Sequence, residues 1–209
     1  HFFGFTEAAA GSEAAGIVTR AVRDGDDYII NGEKTPLPGA MIADAVSIST
    51  KIDPSAGFRG VSMFWIPLNL PGITVSPLPW MGNPGLYPSV VMFDDVRVPA
   101  RYLEGEEGKG FYTVMGTLDW LRIIVALECL ARAQASLVDA IEWSKQRQAF
   151  GKPIAGFQGV SFLIAEHHTM VEAARLLCYQ TLWLKDQGQM HTMESCRAKW
   201  FSVRVSLNA

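Results

Sequence analysis

The chain is 209 residues long, 49% hydrophobic and 19% charged, and carries a net charge of −3. That composition supports a sizeable globular core; it offers no basic stretch for nucleic acid and no apolar run long enough to span a bilayer. Cys129, Cys178 and Cys196 are odd in number and scattered, which argues against a disulfide framework or a zinc site and for a reducing, cytoplasmic setting.

The first element is a loop. Phe3-Gly4-Phe5-Thr6-Glu7 leads into the small-residue run Ala8-Ala9-Ala10-Gly11-Ser12. Gly and Ala let a flat ring or a phosphate approach the backbone, and the Thr6 and Ser12 hydroxyls can donate to ring carbonyls or phosphate oxygens. The same stretch reads equally well as a small-residue loop packed under another element. From residue 17 to about Pro99 the texture is β. Residues 17–23 alternate, Asp24-Gly25-Asp26-Asp27 is a turn cluster, and Tyr28-Ile29-Ile30-Asn31-Gly32 returns, which predicts a hairpin. Further strands are predicted at 45–50, 60–67, 72–77 and 89–97, separated by Pro- and Gly-bearing turns. Six short strands with no helix between them predict a sandwich or small barrel.

Gly105-Glu106-Glu107-Gly108-Lys109-Gly110 has the glycines of a phosphate loop but neither its Lys-Ser/Thr ending nor a βα context, so it reads as a solvated hinge between domains. From Phe111 the period is helical: Phe111, Val114, Met115, Leu118, Leu121, Ile124 and Val125 recur at spacings of three and four. The pattern continues through Leu137, Ala140 and Ile141 towards Gln148 until Gly151 and Pro153 stop it. A second helix starts near Phe157, with Val160, Leu163, Ile164, His167, Val171, Ala174 and Cys178 on one face. Asp186-Gln187-Gly188 ends it, and a third helix begins near Met193. Adjacent His167 and His168 point about 100° apart on a helix, so they read as a core residue beside a surface one, with no metal site. Strands followed by long antiparallel helices make an α+β chain with segregated halves.

Five motifs occur in a fixed order: Thr6-Glu7 with Gly11-Ser12-Glu13 and Gly16; Phe93-Asp94-Asp95-Val96-Arg97-Val98-Pro99; Gly105-x-x-Gly108-x-Gly110-Phe111; Leu118-Asp119-x-x-Arg122; and Arg147-Gln148-x-Phe150-Gly151-Lys152-x-Ile154-x-x-x-Gln158. Over essentially the whole chain this series resembles the acyl-CoA dehydrogenases. The resemblance implies a middle β domain at 1–104, sandwich- or barrel-like, followed at 105–209 by the first part of a helical bundle, so the chain corresponds to the middle of such a protein. It also implies FAD-dependent α,β-dehydrogenation of an acyl-CoA thioester, in which a carboxylate removes an α-proton while the β-hydrogen leaves as hydride. The electrons would pass to an electron-transfer flavoprotein or a similar acceptor. The setting would be a bacterial cytoplasm or a mitochondrial matrix, and the start at His1 without a charged-then-apolar leader agrees with a protein that is not secreted.

Carried over residue by residue, the resemblance places Phe3, Phe5, Thr6, Ser12, Pro36 and Pro38 against the cofactor. Arg147, Phe150 and Gln158 would reach its adenosine half on a neighbouring subunit, in a homo- or heterotetramer. Ser12, Asp119 and Arg122 would hold the acyl-CoA substrate. Read from the residues alone, Arg147 also suits a helix C-terminus as a plain cation, and Asp119 and Arg122, three apart, can simply pair with each other. The sequence departs from the family pattern at several points. Phe5 replaces an aliphatic residue and Glu13 an aspartate. Gly82-Asn83-Pro84-Gly85 lacks an arginine common after Met-Gly. Asn31-Gly32-Glu33-Lys34-Thr35 is followed by Pro36-Leu37-Pro38, where a tryptophan and a hydroxyl residue usually contact the flavin, and proline offers no donor. A wider pocket for a branched or cyclic acyl group is one explanation. No catalytic base is expected within the chain: the one candidate position on the first long helix is Leu121, and the other lies outside these residues. A non-catalytic structural subunit, or a flavin monooxygenase or oxidase on the same scaffold, therefore stays open as an alternative.

Overall fold

The computed structural model describes residues 2–209, which divide into two compact units, one running to Met115 and the other Gly116–Ala209. In the first unit lie β1 (Phe2–Gly4), β2 (Arg20–Asp24), β3 (Asp27–Leu37), β4 (Ala45–Lys51), β5 (Val61–Pro67), β6 (Ile73–Pro77), β7 (Ser89–Pro99) and β8 (Leu103–Glu104). They form one eight-stranded sheet in the order β6-β7-β3-β2-β4-β5-β8, with β1 parallel to β4. Its core is Tyr28, Ile30, Val46, Ile48, Phe64, Ile66, Val91, Phe93, Val96 and Val98, all but sealed from solvent. The predicted strands are present. The sequence reading missed β1 and β8, and the strand expected over 17–23 begins only at Arg20, although burial alternates from Ile17 onward.

Two register shifts explain what looks irregular along β3 and β7. Ile30 faces Val96 but Gly32 faces Phe93, so β7 carries one extra residue. Asp95 absorbs it at φ 48°, and the Asn31 amide holds it: Nδ2 donates to Asp95 Oδ1 at 2.9 Å and Oδ1 accepts the Asp95 N–H at 2.8 Å. The second shift puts an extra residue on β3 between Lys34 and Leu37. That is where Pro36 sits, and a bulge is one of the few places inside a sheet that tolerates a residue without an N–H. The strand thus runs on to Leu37, beyond the expected end near Gly32.

The glycine-rich run is solvated at Gly105, Glu106, Glu107 and Lys109, which are exposed, but not at its last two glycines. The Gly108 N–H donates to Ser62 Oγ at 2.8 Å, and a Cβ on Gly110 would stand 2.6 Å from the Ser62 backbone. Only glycine lets the Gly110 and Ser62 backbones meet, so this end of the run is packed against the start of β5.

The second unit holds most of α1 (Gly110–Gln146), the small hairpin β9 (Gln148–Ala149) and β10 (Lys152–Pro153), α2 (Gln158–Asp186) and α3 (Thr192–Asn208). The three helices match the predicted ones. Their buried stripe is Ile123, Ala126, Leu130, Ala133 and Leu137 of α1 against Val171, Ala174 and Cys178 of α2 and Ala198 and Val205 of α3. Of the face expected for α1, Ile124 and Val125 are exposed. On α2 the same is true of Leu163, and His167 is half-buried rather than in the core, its Nδ1 2.7 Å from the Leu163 carbonyl oxygen. No helix among the described residues is long and apolar enough to cross a membrane.

Candidate functional site

The loop between β1 and β2 carries the first group of candidates, and a buried charge pair fixes it. After β1 the chain makes a tight turn in which Glu7 and Ala10 exchange backbone hydrogen bonds of 2.9 and 3.1 Å. The Glu7 side chain turns inward and accepts hydrogen bonds from the N–H groups of Val18 at 2.6 Å and Thr19 at 3.1 Å and from Lys34 Nζ at 2.6 Å. Lys34 also lies 3.3 Å from Ser49 Oγ of β4. The two charged side chains are 1% and 0% exposed. Burial raises the carboxyl of Glu7, but the Lys34 ammonium and the N–H donors together hold it below the ordinary value. Burial in turn pushes Lys34 down to about 8, against the pull of Glu7. Both stay charged near neutral pH. Ala10 and Ile17 anchor the far side of the loop on Val61 in a small satellite core.

This anchoring leaves the candidate hydroxyls unspent. Neither Thr6 Oγ1 nor Ser12 Oγ is hydrogen-bonded to another described residue, Thr6 being half-buried and Ser12 exposed. Phe3 and Phe5 stack at 5.9 Å between ring centroids, an aromatic step just ahead of Thr6. The proline segment lies beside them. Thr35 N donates to Thr6 O at 2.9 Å, and a Cβ on Gly4 would stand 2.7 Å from Leu37 Cδ1. Pro36 is exposed and Pro38 half-buried. Phe3, Phe5, Thr6, Pro36 and Pro38 thus belong to one neighbourhood, with Ser12 further along the same loop.

A flavin fits this donor set in part. Free hydroxyls and a backbone made of Gly and Ala suit its polar edge and its phosphates, and aromatic rings suit its flat body. The Pro36-Leu37-Pro38 stretch offers it no side-chain hydrogen bond.

The remaining candidates sit in the second unit, in two places. Arg147 follows α1 directly; its carbonyl accepts from Ile154 N at 2.9 Å, and its guanidinium makes no ion pair among the described residues. Phe150 occupies the tip of the β9–β10 hairpin, 96% exposed, and Gln158 opens α2 on the surface. On α1, Asp119 and Arg122 pair with each other, and Asp119 also accepts the Thr192 hydroxyl of α3. Leu121, between them, is half-buried and carries no titratable group.

Sequence reasoning gave no role to Glu7 and Lys34, 27 residues apart. Their signal was slight: one charge just ahead of a run of small residues, and one beside Glu33, just past the strand end expected near Gly32.

Two family models match the chain, the one described as "Acyl-CoA dehydrogenase, middle domain" over residues 2–96 and the one described as "Acyl-CoA dehydrogenase, C-terminal domain" over 108–209. The caffeyl-CoA reductase-Etf complex subunit CarC of Acetobacterium woodii is 40% identical over 97% of this chain and 54% of its own length. The cyclohex-1-ene-1-carbonyl-CoA dehydrogenase of Syntrophus aciditrophicus is 40% identical over 88% of this chain and 45% of its own. Among solved structures, butyryl-CoA dehydrogenase from Megasphaera elsdenii superposes with a TM-score of 0.95 at 39% identity, over 98% of this chain and 54% of that one. The chain spans about half the length of the curated relatives it matches.

Proposed function

Because the chain belongs to the acyl-CoA dehydrogenase family, we propose that the protein is an FAD-dependent oxidoreductase that introduces an α,β double bond into an acyl-CoA thioester. The observation that carries this reading is the loop after β1, whose free Thr6 and Ser12 hydroxyls stand on a backbone that the Glu7–Lys34 pair holds still. FAD, when bound, supplies the hydride acceptor. In this reading Thr6 Oγ1 donates to the polar edge of the ring, Phe3 and Phe5 wall it, and Ser12 donates to phosphate. Arg147 pairs with a phosphate of the cofactor on a neighbouring copy, the guanidinium being suited to bidentate contact, with Phe150 and Gln158 beside it. Asp119 and Arg122, already paired, form the polar end of the acyl-CoA site. Leu121 cannot take a proton, so this reading needs a carboxylate at another position to serve as the base.

The acyl group we assign is branched or cyclic, since Pro36 removes a tryptophan-sized wall. An electron-transfer flavoprotein as acceptor and a tetrameric assembly complete the proposal. A second reading, a non-catalytic subunit of the same fold, draws on the missing donors at Pro36 and Pro38. Both are tested by purifying the full-length protein and recording its flavin spectrum before and after an acyl-CoA is added without an acceptor. Bleaching of the flavin band supports the enzyme. A flavin band that no acyl-CoA bleaches favours the subunit, and a protein that stays colourless when FAD is added refutes the enzyme and leaves the subunit.

A further inference from the structure

The Asp119 carboxylate on α1 is held at both of its oxygens. Oδ1 accepts from Arg122 Nη1, one turn on along the same helix, and Oδ2 accepts from the hydroxyl of Thr192, the first residue of α3. Thr192 lies 73 positions further along the chain. A threonine near a helix start commonly bonds to nearby backbone; this one reaches across to α1 instead, although His191 gives α3 no side-chain cap. The start of α3 suits a carboxylate, since a helix N-terminus attracts negative charge. The side chains of Asp119 and Arg122 are 15% and 30% exposed.

A guanidinium and a carboxylate fit each other best through two parallel hydrogen bonds. Asp119 and Arg122 make only one, Nη1 to Oδ1, and the oxygen that a second would need is spent on Thr192. The other N–H donors of Arg122 have no partner among the described residues. No second cation among those residues pairs with Asp119; Lys185 of α2 lies over the neighbouring Trp120 ring, 4.7 Å from its centroid. We propose that Thr192 is a positioning residue for the acyl-CoA site. By occupying Oδ2 it restricts Asp119 to a single bond with Arg122, and so keeps the rest of the guanidinium open to an oxygen of the CoA chain. Without the hydroxyl the carboxylate turns both oxygens onto the fork, and Arg122 closes on Asp119 instead of on the ligand. This role rests on the reading that Asp119 and Arg122 hold the acyl-CoA.

The test is calorimetric titration of the full-length protein with coenzyme A, which has no acyl group to oxidise, so the readout does not depend on turnover. Thr192→Val, which keeps the shape and removes the hydroxyl, should weaken binding by about tenfold, as the loss of one charge-assisted hydrogen bond does. Thr192→Ser should bind as wild type does, and Thr192→Ala should match Thr192→Val, which guards against a packing effect of the new methyl group. Because the effect passes through Arg122, Thr192→Val added to Arg122→Gln should weaken binding no further than Arg122→Gln alone. A Thr192→Val protein that binds as wild type while Arg122→Gln is weakened overturns the proposal and leaves the acyl-CoA site standing. A serine variant as weak as the valine one, or a double variant in which the two losses add, overturns it in the same way. Wild type that binds no coenzyme A, or an Arg122→Gln protein that binds it unchanged, removes the acyl-CoA reading of Asp119 and Arg122 and the proposal with it.

Discussion

Replacing Lys34 by methionine removes one half of a charge pair whose side chains are 0% and 1% exposed. Taking one partner from a buried pair costs about 3–5 kcal/mol, because the other charge is left without compensation. The lower end, about 3 kcal/mol, applies here for two reasons. Glu7 keeps the N–H donors of Val18 and Thr19, and removing the ammonium also relieves its own burial, which had pushed it down to about 8. Adding Glu7→Gln should recover at least half of the loss, since the amide oxygen still accepts from Val18 and no charge remains buried. The pH dependence has a definite sign. Lys34 is depressed in the folded protein, so between about 8 and its ordinary value of 10.5 the unfolded chain holds more protons, and wild-type stability gains as pH rises through that window. Glu7 is also depressed, so its contribution is present above its ordinary 4.5 and is lost as pH falls below that. The penalty for Lys34→Met should therefore grow from pH 8 to 10.5 and shrink below 4.5. Urea titrations of wild type, single and double variants across pH measure it. A single variant within about 1 kcal/mol of wild type at pH 7, or a double variant no better than the single, would refute the reasoning.

Arg147→Ala should weaken FAD retention by about ten- to a hundredfold without changing the urea midpoint, as one charge-assisted phosphate contact contributes a few kcal/mol at most; unchanged retention on dilution removes Arg147 from the site. Pro36→Trp should shift the ratio of kcat/KM for a cyclic over a straight-chain acyl-CoA downward by about 10- to 200-fold, and an unchanged ratio in an active enzyme would place the segment away from the acyl pocket. Gly110→Ala should lower stability by about 1–3 kcal/mol, because its Cβ would stand 2.6 Å from the Ser62 backbone; a neutral urea titration would contradict that packing.

Much of the sheet was legible because turn residues punctuate it: β4, β5, β6 and β7 each end at Pro, Gly or charged clusters. β1 was not, since three residues carry no period and its pairing with β4 lies more than forty positions away. Pro36 hid the end of β3, because a bulge that accommodates proline leaves no trace in local pattern. The helices were plain, but not their faces. Ile123-Ile124-Val125 is apolar all round, so spacing alone could not choose a side, and the buried stripe uses Ala126 and Ala133, which weigh little in an apolar count. The site was legible where it is a run of motif residues and silent where it is a pair distant in sequence, Glu7 with Lys34.

The hairpin between α1 and α2 turns through only two residues, and both Phe150 and Gly151 have positive φ, 50° and 77°. Asn-Gly makes such a turn with little strain, whereas phenylalanine in a left-handed backbone costs on the order of 1 kcal/mol and here holds a ring almost wholly in water. Folding alone would discard that residue twice, once for its backbone and once for its surface. Whatever keeps it acts after the chain has folded, so a variant optimised for thermal stability by turn preference would lose the ring first, and the loss would show in what the folded protein meets, not in how well it folds.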